Sequence, residues 1–422
     1  MSAPVATPIP LPLTPVPRFD GWRMVALGGL AQGLALPLLG AFGVVATPLI
    51  EEFGASATQL GLGMSLALLA AAVVGAPLGA ALDRGPLRAI MLAGAALMFV
   101  SLLALSRGVA LWQLAACFAF ATVGMSMYGM APVSVILVNW FVVRRGTALS
   151  LAYVGTSVGA LIVPAATAWL IEWFGWRHAV VAVAAGAAAL VAPAIAGMVK
   201  RPEELGQVPD GLPRPAAAPR TSEAHGPASP LAGWLRDRNF WLIGAGVGLA
   251  LSVSVATLFL VRHLEMLGIP RTQAALVPSS MALFGIVGKL GAGWLIDRFD
   301  ARAVVVGALA LHALGWTIVA SQSSHAAMLF ASAPLGLGGG GFLPLAPVLQ
   351  GRCFGRNAIG RIGGFHALIG LPFLLTAAPL VGWSAGRTGG FAAPFYGLVA
   401  TLALAAAVLA SVRVPERDSD RS

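Results

Sequence analysis

One lysine lies where a charge is costly. Lys289 stands inside the apolar run Ala274–Ile296, eight residues ahead of Asp297, which follows that run. At about 1.5 Å of rise per helical residue, its ammonium sits about 12 Å from the charged end, near the midplane of a bilayer. A charge at that depth costs at least roughly 2.5 kcal/mol, so it is expected to face a cavity or a partner. No acidic residue lies in the middle of any apolar run, and an anionic solute is the natural counter-ion. A lysine that snorkels, or that bonds to backbone carbonyls, is the plainer alternative. Gln32, Tyr128, Tyr153 with its neighbours Thr156 and Ser157, and His366 are further polar groups within apolar runs that could hydrogen-bond a carboxylate or a hydroxyl. Each could equally serve helix packing. The apolar runs hold no cluster of His, Asp and Glu that would bind a metal or carry acid–base catalysis, so neither a metal nor a cofactor is expected, and a membrane-embedded enzyme is a remote alternative. The chemistry on offer is recognition of a small molecule and its movement.

A second group of residues occurs twice. Gly79-Ala-Ala-Leu-Asp83-Arg84 returns as Gly293-Trp-Leu-Ile-Asp297-Arg298, 214 residues later, and Ala131-Pro132-Val133 returns as Ala346-Pro347-Val348 after 215. Offsets of half the chain at equivalent places indicate a duplicated unit. An aspartate at a helix end can accept charge-assisted hydrogen bonds from the other half in one conformation and release them in the next. A glycine four residues earlier lets a neighbouring helix approach. Membrane anchoring would explain the arginines around these motifs but not an aspartate in both.

These residues must be held by helices in a membrane. Of 422 residues, 58% are hydrophobic and only 10% charged, too greasy a chain for an ordinary soluble domain. Divided into spans of roughly 20 residues, the apolar content fits about twelve crossings, and twelve runs can be read: Met24–Leu49, Gln59–Leu82, Ala89–Ser106, Leu111–Val138, Gly146–Ile171, Ala179–Val199, Phe240–Val261, Ala274–Ile296, Ala303–Ser321, Ala326–Leu349, Ile362–Val381 and Phe391–Ser411. The predicted organisation is a disordered tail over 1–21, a six-helix bundle over 22–199, a Pro-rich linker over 200–238, a second six-helix bundle over 239–412, and a tail over 413–422. With both termini on one side, that side carries twenty Lys and Arg residues against five opposite. The bias predicts cytoplasmic termini in a multi-pass protein of the inner (cell) membrane. The net charge of +10 is spread in ones and twos, so no nucleic-acid surface is expected. The glycine run Gly336–Gly341 lacks the Lys-Ser/Thr of a phosphate loop, and Cys117 and Cys353 are too separate to suggest a disulfide or zinc site.

At the repeated motif the sequence resembles the major facilitator superfamily, whose loop between helices two and three is matched by Gly79, Asp83, Arg84, Gly85 and Arg88. The second copy keeps Gly293, Asp297, Arg298 and Arg302, with Phe299 in place of the second glycine. The resemblance spans about residues 20 to 412 and implies an all-α membrane fold: twelve transmembrane helices in two pseudo-symmetric six-helix bundles. Two stretches are similar to the monocarboxylate transporter and oxalate/formate antiporter branch: Asp20-Gly21-Trp22, and Asn139-Trp140-Phe141 leading through Arg144-Arg145-Gly146 to Ala148. The Gly-Pro-Gly-rich helix five of drug/proton antiporters is not met by Gly155 to Pro164. The resemblance implies a secondary transporter of small organic anions, monocarboxylates above all, with a co-transported proton or an exchanged anion as its other partner, acting as a monomer in the bilayer. The candidate substrate contacts are Lys289, Gln32, Tyr128, Tyr153 and His366, and the candidate conformational switch is Gly79, Asp83, Arg84, Arg88, Arg144, Arg145, Gly293, Asp297 and Arg298. Two departures bear on mechanism. Lys289 replaces the arginine usual in the family, and Gly285 stands where an acid often lies one turn earlier. The alternative is the same fold with a drug or a sugar as cargo.

Overall fold

The computed structural model describes residues 19–54, 57–211, 231–274 and 276–414. The tails expected at both ends lie largely outside the described residues, as does the middle of the Pro-rich linker, 212–230, with Arg214 and Arg220. Every regular element among the described residues is a helix. In hydrocarbon a helix satisfies its own backbone hydrogen bonds, which is why long apolar runs with few breakers fold this way.

In the first half, α1 spans Gly21–Phe53, α2 Ala57–Arg84, α3 Leu87–Leu105, α4 Leu111–Tyr128, α5 Met130–Trp140 and α6 Arg145–Ala196. After two short 3-10 turns, at Pro202–Leu205 and Pro209–Gly211, come α7 (Leu231–Arg236), α8 (Arg238–Ser252), α9 (Thr257–Met266), α10 (Arg271–Ala274) and α11 (Leu276–Arg298). The chain ends with α12 (Ala301–Ser321), α13 (His325–Phe342), α14 (Leu345–Phe354), α15 (Ile359–Thr388) and α16 (Ala392–Ala410). Several starts are set by short polar side chains. Asp237, Asp300 and Ser324 each accept a backbone N–H from the first turn that follows.

Ten of the described helical stretches are long and apolar enough to cross a membrane. The chain is a multi-pass, all-helical membrane protein, and its outward faces carry the residues that lipid favours, such as Leu62 (65% exposed) and Phe330 (70%). Helix α6 has 52 residues, about 78 Å of helix against a hydrocarbon core of about 30 Å. Its run is broken at Gly175, whose φ of 74° and ψ of 161° lie where a side chain is disfavoured. The fifth and sixth apolar runs are thus joined by a single glycine instead of a loop.

The fourth and tenth runs are each split, at Gly129 and at Leu343-Pro344. The repeated Ala-Pro-Val falls in the first turn of the second piece in both cases, on α5 and on α14. A proline there forfeits no intrahelical hydrogen bond, so the repeat marks a helix restart in each half. Pro164 and Pro372 lie inside helices that continue through them.

Helix α1 packs along α6, α3 against α4, α11 against α13, and α12 against α13 and α16. The two most extensive contacts between the halves set α2 against α15 and α6 against α11. The ends of α2 and α11 and the starts of α6 and α15 meet on the arginine-rich face.

Candidate functional site

Each repeated aspartate caps a helix of the other half. Asp83, at the end of α2, accepts the N–H of Gly360 at 2.8 Å and of Arg361 at 2.9 Å, both in the first turn of α15. Asp297, at the end of α11, accepts the N–H of Gly146 at 2.7 Å and of Thr147 at 2.8 Å in the first turn of α6, with the Thr147 hydroxyl adding a third bond at 2.8 Å. The first N–H groups of a helix lack intrahelical partners and carry the positive end of its dipole, so a carboxylate is favoured there. The expectation that an aspartate fastens the halves therefore acquires a specific receptor, the backbone of the facing helix.

The glycines explain the approach. A Cβ on Gly79 would stand 2.0 Å from the Gly360 carbonyl oxygen, and one on Gly293 would stand 2.1 Å from Ser150 Oγ and 2.6 Å from the Gly146 carbonyl oxygen. Any side chain would hold the helices too far apart for the aspartates to reach. The arginines around the motifs make further contacts. Arg88 donates to the Met198 carbonyl oxygen, Arg145 to that of Phe141, and Arg298 lies 4.3 Å over the Trp294 ring. The Arg144 backbone N–H goes to Asp210, and Arg84 is exposed.

Further along the same α6–α11 contact, Lys289 is buried, and its Nζ donates to Thr156 Oγ1 at 3.0 Å and to Ser157 Oγ at 2.5 Å. Among the described residues no carboxylate lies within ion-pair distance of it. Lysine and aspartate are two rungs on one seam.

A cavity of about 400 Å³ opens along the other contact between the halves, with Leu68 of α2, Ser134 of α5, Tyr153 of α6, Phe342 of α13, Gln350 of α14 and His366 of α15 among its lining. The Tyr153 hydroxyl lies 3.1 Å from Ser134 Oγ, and Gln350 Nε2 lies 3.0 Å from His366 Nδ1. Glycine, alanine and leucine make most of the wall, which leaves these four side chains and Ser126 as its polar points. Tyr153 and His366 are thereby brought together, although 213 residues apart. Lys289 is outside the lining, yet its partner Thr156 follows Tyr153 by one turn of α6. Tyr128 is also outside it: its hydroxyl donates to Met98 Sδ at 3.1 Å within the packing of α3 and α4. Gln32 is fully buried on α1, outside that lining, and neither of its amide atoms has a hydrogen-bond partner among the described residues. Ser134 and Gln350 were not anticipated; the one available signal was their place just after the two restarting Ala-Pro-Val turns.

The two branch-like stretches pack on each other at the arginine-rich face. Trp22 meets Phe141 with ring centroids 5.0 Å apart, and Trp140 donates its indole N–H to the Val199 carbonyl oxygen at 2.8 Å.

Comparison with known proteins gives a consistent picture. The family model described as Major Facilitator Superfamily matches residues 24–291 and 242–422. Monocarboxylate transporter 12 of Rattus norvegicus is 26% identical over 63% of this chain and 59% of its own length, so the match spans less than two thirds of that relative. Monocarboxylate transporter 11 of Mus musculus is 28% identical over 92% of this chain and 86% of its own. Among solved structures, an MFS transporter, FucP, in the outward conformation superposes with a TM-score of 0.72 at 14% identity, covering 94% of this chain and 100% of that one. The proton:xylose symporter XylE bound to 6-bromo-6-deoxy-D-glucose gives 0.71 at 14% identity, over 94% and 96%. At such identities the likeness concerns the fold.

Proposed function

Because the chain belongs to the major facilitator superfamily, we propose that it is a secondary carrier for a small organic solute, with twelve spans in two six-helix halves, both termini cytoplasmic and the described state closed on the cytoplasmic, arginine-rich side. The ten crossings reach twelve when α1 is included and α6 is counted as two. Transport by alternating access needs contacts between the halves that hold in one state and break in the other. Asp83 of α2, capping α15, and Asp297 of α11, capping α6, supply such contacts, and each charge-assisted bond is worth about 1.5 to 3 kcal/mol net of the water bonds it replaces.

The broad cargo reading, in which a sugar or a drug-like molecule serves as well as an acid, has the wider support. The cavity wall is mostly apolar and its polar points are neutral donors and acceptors, suited to an amphipathic solute. The fold is shared with a xylose and with a fucose symporter. Within that range, a small organic anion of the monocarboxylate class is favoured by one observation, the buried ammonium of Lys289 satisfied by hydroxyls alone. Two neutral hydroxyls solvate an ammonium without cancelling its charge, and a carboxylate would do both. Tyr153, His366 and Gln32 are the proposed neutral contacts, Gln32 because a buried amide with no partner is costly unless something bonds it in another state.

Counterflow in proteoliposomes tests both levels. Purified protein preloaded with lactate, pyruvate, oxalate, formate, an aromatic acid, fucose or xylose should accumulate the labelled form of at least one of them. Counterflow confined to the sugars would overturn the anion reading, and none with any small solute would overturn the carrier.

A further inference from the structure

The first twelve residues of the linker, Lys200 to Gly211, fold as a strap across the arginine-rich face. It is tied to the first half at several points. Lys200 Nζ donates to the Asp83 carbonyl oxygen at 2.7 Å. Gln207 exchanges two hydrogen bonds with Asp20, at 3.0 and 2.7 Å. Asp210, the one non-glycine described residue with positive φ (58°), accepts the N–H groups of Val142 and Val143 at 2.8 and 2.9 Å on one carboxylate oxygen and of Arg144 at 3.2 Å on the other. A residue held in that conformation is unusual, and here three backbone bonds over-determine it. Burial, with Arg201 alongside, lowers the proton affinity of the Lys200 ammonium from its usual range.

The strap also touches the second half. Arg201 Nη2 donates to Asn357 Oδ1 at 3.1 Å, and Glu203 Oε1 accepts from Arg356 Nη2 at 2.9 Å. Arg356 and Asn357 lie in the short turn that leads into α15, and Asp83 caps α15 three and four residues further on. The strap and the aspartate therefore grip the same corner. For the halves to part on this face, the bonds to Arg356 and Asn357 must break, whereas those to Asp20 and to residues 142–144 lie within the first half and can persist.

We propose that Lys200–Gly211 is a latch that rides on the first half and holds the closed state through Arg201 and Glu203, an inference that rests on the carrier reading above. Its strength is adjustable because the Glu203–Arg356 pair is partly exposed, with side-chain exposures of 46% and 13%. Exposed ion pairs are individually weak, so the latch biases the equilibrium and does not prevent opening.

Spin-label distance measurement on the full-length protein in lipid nanodiscs tests it. With Cys117→Ala and Cys353→Ser as background, labels at Ala89→Cys on α3 and Phe299→Cys after α11 report the separation of the halves on this face. Glu203→Arg should raise the ratio of long to short distances by roughly three- to tenfold, and Glu203→Arg with Arg356→Glu should return it to within roughly twofold of the parent. Rescue by the double exchange ties the change to this ion pair. Asp83→Asn is the reference for opening. If it lengthens the distance and Glu203→Arg does not, the strap is a passenger and the proposal is overturned; if neither does, the carrier reading falls with it.

Discussion

Lys289 carries the sharpest residue-scale prediction. An ammonium and a carboxylate about 4 Å apart at an effective dielectric of about 20 attract by on the order of 4 kcal/mol. Desolvation, and the Thr156 and Ser157 bonds that the substrate must share, reduce this to roughly 1.5 to 3 kcal/mol. Lys289→Ala should weaken organic-anion binding by roughly ten- to a hundredfold, and Lys289→Arg should keep measurable transport because the charge remains. Isothermal titration on purified variants checks this, and unchanged affinity in the alanine variant would move a sugar or drug cargo to first place. The lysine was legible in the sequence because one charge in an apolar run is conspicuous without knowing its neighbours. Its partners were not. Thr156 also donates to the Tyr153 carbonyl oxygen, and a hydroxyl that bonds its own helix looks unremarkable until the facing helix is known.

At the scale of the helices, the glycines of the repeated motif make a prediction with a built-in control. Gly79→Ala and Gly293→Ala each place a methyl group against backbone or Ser150 of the facing half, whereas Gly291→Ala, on the same helix as Gly293, meets nothing within 4 Å. The first two should shift the protein toward the state open on the arginine-rich face, read as faster alkylation by a membrane-impermeant thiol reagent of Arg361→Cys on a background without native cysteines. Gly291→Ala should leave that rate unchanged and raise thermal stability slightly, since alanine favours helix by up to about 1 kcal/mol. Equal rates in all three variants would mean that the seam tolerates a methyl group. The repeat itself was readable because glycine and aspartate four apart at helix ends recur at half the chain length. That the aspartates reach backbone N–H groups of the facing helix was not readable, since every residue carries the same backbone. The broken fourth and tenth helices were similarly hidden: Pro132 and Pro347 flagged a disturbance, but a proline in a first turn and a proline in a kink look alike in sequence.

For the whole molecule, the charge bias predicts that reporter fusions after Ser422 and within residues 212–230 both give cytoplasmic signals, whereas a fusion at Arg107 gives the opposite one. A periplasmic signal from either of the first two would invert the assignment. Hydropathy alone carried the multi-pass, all-helical architecture because each crossing must be apolar over its own length. It could not reveal the strap, whose Pro, Gly and charged residues have the composition of a flexible connector. Only long-range partners such as Asp20, residues 142–144 and Arg356 order it.

The inter-half caps also determine where mutation can do harm. The acceptors Asp83 and Asp297 are side chains, but their partners at Gly360, Arg361 and Gly146 are main-chain N–H groups that any residue except proline supplies. The receiving side of the lock is thus largely indifferent to amino-acid identity apart from the Thr147 hydroxyl and the space its glycines leave, and substitutions can accumulate at the other positions without loosening it. In a saturation library selected for transport, Arg361 should accept most residues and reject proline, while Asp83 and Asp297 should accept almost none. A library in which Arg361 proved as intolerant as Asp83 would show that its side chain, and not its amide, is what inheritance has to preserve.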